Sequence, residues 1–363
     1  MLYQGLALTA LFVLTLLLLN TKSRIQWVIY TLVISGVFQA VYGSLMTLSG
    51  IEKIFFVDKT SYTGLVTGTF INRNHMAGYM ELCLAAGLGM MIAGLATSRS
   101  GSWRERGRRL MEAMLGSKAR IRISLVIMVA ALVMTHSRMG NTAFFASMTI
   151  AGVIALLMGR FATRKLVILL TSLLIIDIVV VGTFFGVEKV IDRIENTTMD
   201  KQVRDEVNVY TIEMITQSPL TGNGAGTFYS SFPEFRDADV GGRFFQYAHN
   251  DYLQFAFELG LIGFAPLLLM LLLTAYTALK AQRVRKDPLM KGLSFSCIMA
   301  MIAFGIHSTV DFNLQIPANA ATFMVLLALG WISLHFKEEK SLRRRRSSSR
   351  SDRDAGHLAD QLI

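Results

Sequence analysis

Apolar residues in this chain fall in runs of about 20, separated by short polar segments. A helix of about 20 residues crosses the roughly 30 Å hydrocarbon layer of a membrane. The runs are continuously apolar rather than alternating, which favours helices over a transmembrane barrel. The pattern therefore predicts about nine membrane spans, at 2–19, 27–49, 74–97, 123–136, 141–159, 166–186, 256–279, 292–310 and 317–336.

The predicted fold class is all-α, a polytopic helical membrane protein with one large extracytoplasmic loop that contains short helices. The first run has no basic residue before it and no small-residue cleavage site after it, so we interpret it as a span rather than a signal peptide. Four regions follow: an N-terminal helix bundle (1–186), a polar loop (187–255), C-terminal transmembrane helices (256–336) and a basic tail expected to be disordered (337–363).

Composition agrees with this interpretation, with 53% apolar and 17% charged residues in 363. Five loops lie on one side of the predicted topology and together hold 26 of the 36 basic residues. These loops are 20–26, 98–122, 160–165, 280–291 and 337–363. The positive-inside rule assigns that side and the carboxyl terminus to the cytoplasm. The net charge of +11 thus reflects topology and lipid contact at the tail, and we expect no nucleic-acid partner.

Two short motifs stand out in the polar loop. A glycine-rich turn covers 219–228 (PLTGNGAGTF), and His249-Asn250-Asp251 precedes the next span. The turn lacks the lysine and hydroxyl residue of a nucleotide-binding loop, so it is either structural or presents amide groups to an anion. An imidazole at position 249 can accept a proton at neutral pH, or it can simply satisfy interfacial backbone groups. Asn250 or Asp251 is expected to cap the following helix.

Arginine residues at two places are candidates for binding an anion. Arg138 occupies a tight turn between two spans, where its guanidinium either extends to the interface or faces an anion. Arg204 begins a segment whose apolar residues recur at helical spacing, which predicts an amphipathic surface helix. On that helix, Arg204 either pairs with an acidic neighbour or contacts an anion.

Further polar residues fall near the same predicted side. His307 and Asp311 are four residues apart and share one face if the helix continues to Asp311, so we expect them to form a neutralising pair. Asn74 and His75 begin the third span. Asp177 lies alone in an apolar run, and we assign it no role. Cys83 and Cys297 fall inside spans and are expected to be packing residues, and no histidine or cysteine lies at ligand spacing from His249, so we expect neither a metal nor a cofactor.

In combination, these motifs resemble the bacterial O-antigen ligase and O-antigen polymerase superfamily. The resemblance rests on the glycine-rich turn, on the sequence from His249 to Gly263, and on the polar groups around Arg138, His75 and Asp311, and it extends over about residues 70–336. The chain differs from the family pattern in having about nine spans where ligases commonly have about twelve. It also has Tyr210 where tryptophan is frequent.

The resemblance implies an inner-membrane glycosyltransferase, active on its periplasmic face. Such an enzyme moves a glycan from undecaprenyl diphosphate to an acceptor hydroxyl without a metal, with inversion. By the family pattern, Arg138 and Arg204 would bind the donor diphosphate, His249 and Arg204 would be catalytic, and Asn74, His75, Asn250, His307 and Asp311 would support them. The acceptor would be a glycan, lipid A core or protein, corresponding to polymerase, ligase or protein glycosylation activity. A lipid or polysaccharide transporter is the non-enzyme alternative.

Overall fold

The computed structural model describes residues 2–95, 117–158, 205–236 and 245–337, with a few single positions between 168 and 175. Its long helices are α1 (Leu2–Leu18), α2 (Lys22–Leu48), α3 (Arg73–Leu95), α4 (Ser117–Met134), α5 (Arg138–Met158), α8 (Asp251–Val284), α9 (Pro288–His307) and α10 (Pro317–His335). Shorter elements are the strands β1 (Lys53–Ile54) and β2 (Val57–Asp58), helix α6 (205–217), helix α7 (Phe228–Ser231), and the 3-10 turns Phe232–Glu234 and Asn313–Gln315.

The helical membrane architecture predicted from the sequence is confirmed. Among the described residues, six helices are long and apolar enough to cross a membrane, and they are α2, α3, α5, α8, α9 and α10. Eight of the nine predicted spans coincide with described helices. The remaining span, 166–186, and Asp177 within it lie outside the described residues except for single helical positions, so the count of nine stays a prediction. A two-strand antiparallel pair, β1 with β2, is a small departure from an all-helical chain.

Helices α3 and α9 form the centre of the bundle, and most of their side chains are buried. They approach closely where Gly89 of α3 meets Gly292 of α9, because a Cβ on either glycine would overlap the carbonyl oxygen of the other. Small residues at such crossings allow helix backbones to pack directly in a membrane, where no hydrophobic effect drives the helices together. This central pair positions the polar side chains of the candidate site.

Polar contacts cluster at two ends of the bundle. At one end, Lys22 pairs with Asp287 at 2.7 Å, and the guanidinium of Arg285 donates to the carbonyls of Ser333 (2.9 Å) and Phe336 (2.7 Å). These contacts join two of the loops that the charge count assigned to one side, 20–26 and 280–291, and tie the second of them to the end of α10. At the other end, the Val66 amide donates to the Met134 carbonyl at 3.1 Å. The assignment of these ends to the two sides of a membrane stays a prediction.

The glycine-rich turn docks against a kink in α8. Gly260 interrupts this helix with a φ of +60°, and the amides of Asn223 and Gly224 donate to the carbonyls of Phe257 (3.0 Å) and Glu258 (2.9 Å). In return, the Leu261 amide donates to the Pro219 carbonyl at 2.9 Å. Because the kink engages these amides, the structure favours the structural interpretation of the turn over anion binding.

Replacing Gly260 with alanine should destabilise this junction. The backbone of Gly260, with φ +60° and ψ −177°, is adopted almost only by glycine and costs an L-residue about 1–3 kcal/mol, and the new Cβ would overlap the backbone of Gly222 and Leu220. We expect a lower unfolding temperature in detergent, with Gly263→Ala, in the next turn of α8, as the milder comparison. Equal unfolding temperatures for the two variants would contradict the close contact.

Helix α6 packs onto α8 through an aromatic cluster. Val207 and Met214 of α6 are fully buried against Phe228, Phe232 and Phe257, whereas the opposite face of α6 is exposed. This agrees with the amphipathic helix predicted for the segment. The cluster holds the polar loop against the membrane helix directly after His249.

Candidate active site

His249 is held by the turn that begins α8. Its φ of +53° lies in the left-handed region, which histidine and asparagine adopt more readily than most residues. The side chain of Asn250 then accepts hydrogen bonds from the amides of Tyr252 (3.1 Å) and Leu253 (3.2 Å) and caps the helix. Asn250, and not Asp251, is therefore the cap. The turn fixes the backbone from which the imidazole extends.

Asp311 lies between two imidazoles. Its Oδ1 is 3.8 Å from Nδ1 of His249 and 3.6 Å from Nε2 of His75, both slightly beyond hydrogen-bond length. The same oxygen accepts a 2.9 Å hydrogen bond from the amide of Phe312. Asp311 is 1% exposed, and its Oδ2 has no hydrogen-bond partner among the described residues. One buried carboxylate thus faces histidines from two different segments.

The ring of Phe312 aligns these imidazoles. His75 and His249 both meet it edge-on, with centroid distances of 4.6 and 4.8 Å, and Tyr247 stacks on it at 4.4 Å. Edge-to-face packing restricts ring rotation as well as burying area. Phe312 therefore orients both imidazoles around Asp311.

His307 does not pair with Asp311, and the sequence-based expectation on this point is wrong. Helix α9 ends at His307, so Asp311 lies beyond it in a turn rather than on the same helical face. Nδ1 of His307 is instead 2.7 Å from Oε1 of Glu81 on α3, and both side chains are fully buried. The pair links the two central helices directly beneath the Asp311 cluster.

Asp251 binds the turn that carries Asp311. Its Oδ2 accepts from the hydroxyl of Ser308 (2.9 Å) and the amide of Leu314 (3.1 Å), and its own amide donates to the Ser308 carbonyl. This aspartate is 1% exposed. It therefore locks the start of α8 to the 308–316 turn and keeps His249 next to Asp311.

The start of α3 is tied to the start of α10. The amide of Asn319 donates to the His75 carbonyl (3.0 Å) and to Oδ1 of Asn313 (2.9 Å), and a Cβ on Gly78 would overlap Asn313. Of the expected supporting residues, His75 and Asp311 come together at His249, and Asn250 caps the helix that follows it. The Asn74 side chain makes no hydrogen bond to this cluster within the described residues, although its amide donates to Asn72.

Arg138 begins α5 and is exposed. The next turn of this helix packs on α3, where Gly140 meets Ala77 two residues after His75. Arg138 therefore lies at the same end of the bundle as the histidines. Arg204 lies outside the described residues, so the expected convergence of two guanidinium groups with His249 stays a prediction.

The charge state of Asp311 follows from its neighbours. Burial alone would raise the pKa of Asp311, but the imidazoles of His75, His307 and His249 hold that pKa well below its ordinary value. Asp311 therefore remains an anion well into the acid range. It can orient a histidine without competing for its proton.

Asp311→Asn should destabilise the protein in a pH-dependent way. A carboxylate with a depressed folded-state pKa stabilises the fold above its unfolded value of about 3.9, and this contribution is lost as the pH falls through the folded value. We expect the variant to unfold at a lower temperature than the parent protein near pH 6, with the difference shrinking below about pH 4. A difference that stays constant across that range would contradict a depressed pKa.

The sequence did not identify Phe312 or Asn319 as residues of the site. It also did not predict that the side chain of Asp251 binds the 308–316 turn. Asn319 follows Pro317 at the start of a span, and a polar side chain one turn inside an apolar run was the available signal. Phe312 offered no such signal, since one phenylalanine among 23 is not distinctive.

Comparison with known families bears on this arrangement. The sequence model of the family described as O-antigen ligase matches residues 123–268, which include Arg138, the glycine-rich turn and His249. A comparison with curated proteins gave no match. Two parts of the matched segment lie at the described site, the start of α5 and the turn before α8. The chain is therefore a multi-pass membrane protein in which residues 123–268 are similar to the O-antigen ligase family.

Proposed function

We propose that this protein transfers a glycan from undecaprenyl diphosphate to an acceptor hydroxyl on the periplasmic face of the bacterial inner membrane. The observation that carries the proposal is the buried carboxylate of Asp311 facing Nδ1 of His249 at 3.8 Å. A base oriented by a carboxylate is the arrangement that activates a hydroxyl in many unrelated enzymes. Family members are glycosyltransferase-like enzymes, which agrees with this chemistry.

In the proposed reaction, His249 acts as general base. A proton on Nδ1, directed toward Asp311, leaves the lone pair on Nε2. Nε2 takes the proton of the acceptor hydroxyl as the acceptor oxygen attacks the anomeric carbon. The bond from that carbon to the diphosphate oxygen breaks at the same time, and the carrier diphosphate leaves with the electron pair. Attack opposite the leaving group inverts the anomeric configuration.

Arg138 and Arg204 are proposed to bind the diphosphate. Negative charge accumulates on the leaving group as the glycosidic bond breaks, so fixed guanidinium groups stabilise the transition state more than the ground state. Arginine suits this role because its planar fork matches phosphate oxygens and stays charged at all relevant pH values. Two such cations would replace a metal ion, and we therefore propose metal-independent transfer.

The proposed orientation follows from charge. The topology predicted from the sequence puts the 187–255 loop and the 308–316 turn opposite the basic loops, and the positive-inside rule assigns those basic loops to the cytoplasm. The candidate site would then face the periplasm, with the carboxyl terminus in the cytoplasm. The acceptor hydroxyl there would belong to a glycan, a lipid A core or a protein.

Reconstitution tests the proposal. Purified protein in liposomes receives a glycan linked to undecaprenyl diphosphate together with a hydroxyl-bearing acceptor, with and without a chelator. We expect release of undecaprenyl diphosphate together with a new glycosidic bond, unaffected by the chelator. Movement of the intact donor across the bilayer without release of the diphosphate would instead support a transporter.

Arginine variants in the same assay test the diphosphate site. Arg138→Ala should reduce transfer by about tenfold or more, since a charge-assisted hydrogen bond contributes about 1.5–3 kcal/mol. Arg283→Ala is the matched control, because Arg283 is an exposed arginine in the last turn of α8 at the opposite end of the bundle. Equal activity of the two variants would remove Arg138 from the proposed site.

A further inference from the structure

A partly open cavity of 440 Å³ lies between α1, α8, α9 and α10. This volume falls within the range of about 300–1,000 Å³ that is usual for small-molecule sites. Most of its wall is apolar, formed by residues that include Leu8, Leu267, Phe304, Phe323, Met324 and Leu327. These residues belong to membrane helices, so a hydrocarbon chain is the occupant that such a wall favours.

The wall of the cavity also includes two acids. Asp251 and Glu258 are only 1% and 2% exposed, and Ser308 and Gln315 join them in the lining. Oδ1 of Asp251 is buried and has no hydrogen-bond partner among the described residues. Gln254 donates to Oε1 of Glu258 at 3.0 Å. A buried carboxylate oxygen without a donor is costly, so this position favours a ligand that donates hydrogen bonds.

The acids also exclude one occupant. A diphosphate next to Asp251 and Glu258 would add like charges in a medium of low dielectric constant, where their repulsion is strong. Among the residues that the structure describes, no arginine or lysine lines the cavity to offset it. The apolar wall and acidic groups together fit a lipid with a cationic group at its head.

We propose that this cavity is a lipid site, separate from the donor site, which takes a hydrocarbon chain of a membrane phospholipid whose headgroup carries an ammonium. The ammonium donates to Glu258 and to Oδ1 of Asp251, and the chain lies along α8 and α10. The bound lipid fills the space between α8 and the first turns of α1, which packs mainly against α10. This proposal does not depend on the glycosyltransferase mechanism.

Native mass spectrometry of the full chain, stripped of lipid in detergent, tests the site. The probes are phosphatidylethanolamine and phosphatidylglycerol with identical acyl chains. We expect the ammonium lipid to bind about tenfold more tightly, the effect of about one charge-assisted hydrogen bond. Glu258→Gln keeps the side-chain shape and should remove most of this preference while the chain still binds.

A pair of tryptophan variants tests the location. Gly5 lines the cavity and has no atom within 4 Å of its ideal Cβ position, so Gly5→Trp should fill the space and reduce binding of both lipids by about tenfold. Leu6→Trp is the control, because Leu6 is exposed on the same helix and does not line the cavity. Equal lipid binding by these two variants would show that the lipid does not bind in this cavity.

Two further results would overturn the assignment of the occupant. Equal binding of the two phospholipids to the parent protein would show that the acids do not select an ammonium. Displacement of phosphatidylethanolamine by undecaprenyl diphosphate would show that the cavity belongs to the donor. Retention of both the ammonium preference and the phospholipid in the presence of undecaprenyl diphosphate would support a separate site.

Discussion

Replacing His249 with alanine should reduce glycan transfer by about 10²–10⁴-fold, the usual contribution of a positioned general base. The acceptor hydroxyl would then lose its proton only to water. The protein should still insert and fold, because the hydrogen bonds that fix the start of α8 are made by the side chains of Asn250 and Asp251. The measurement is the initial rate of glycan transfer at saturating donor concentration, alongside the unfolding temperature.

Three comparisons make this result specific. His335→Ala is the matched control, since His335 is an exposed histidine in the last turn of α10, far from the turn that carries Asp311. Added imidazole should partly restore transfer in His249→Ala by supplying the missing base. It should not restore transfer in Asp311→Asn, where the base is present but loses its orienting carboxylate. His249→Ala with more than half of the parent rate would exclude the base assignment.

The helical frame was predictable because each span is encoded locally. A continuous apolar run near 20 residues needs no information from other parts of the chain to be identified as a membrane helix. How far each helix is buried in the bundle could not be predicted from its own sequence. Helices α3 and α8 are both apolar, yet α3 is mostly buried and α8 is mostly exposed. The difference follows from which helices surround each one, and that is a property of the packed bundle.

The candidate site was only partly predictable for the same reason. Motif composition identified His75, His249 and Asp311, and the structure brings them together around one ring. The pairing of His307 was predicted wrongly because the i, i+4 rule requires a continuous helix, and α9 ends at His307. Its partner, Glu81, is 226 positions away in the chain, and sequence spacing carries no information about such a contact.

The glycine-rich turn shows how a motif can have two interpretations until its surroundings are known. Free amides in such a turn bind anions well. Here Gly222 contacts Gly260 backbone to backbone, and neither position has space for a Cβ. The second glycine lies 38 positions away, in a segment that looked like an ordinary span. The glycines are therefore required by a close approach between two backbones.

Removing the carboxylate of Glu81 should destabilise the protein by about 3–5 kcal/mol, the usual cost of breaking a buried ion pair by deleting one partner. In Glu81→Leu, His307 would keep its buried Nδ1 without the 2.7 Å contact that now satisfies it. Both side chains are fully buried between α3 and α9, so water cannot replace the lost partner. The measurement is the free energy of unfolding in mixed micelles titrated with a denaturing detergent.

The double variant Glu81→Leu with His307→Leu distinguishes pairing from simple packing. Apolar replacement of both partners removes the desolvation cost together with the attraction, so it is often neutral or stabilising. We therefore expect the double variant to be more stable than Glu81→Leu alone, which gives a large coupling energy in the double-mutant cycle. Additive losses would mean that each residue acts through its own packing, and that α3 and α9 are joined mainly at the Gly89 to Gly292 crossing.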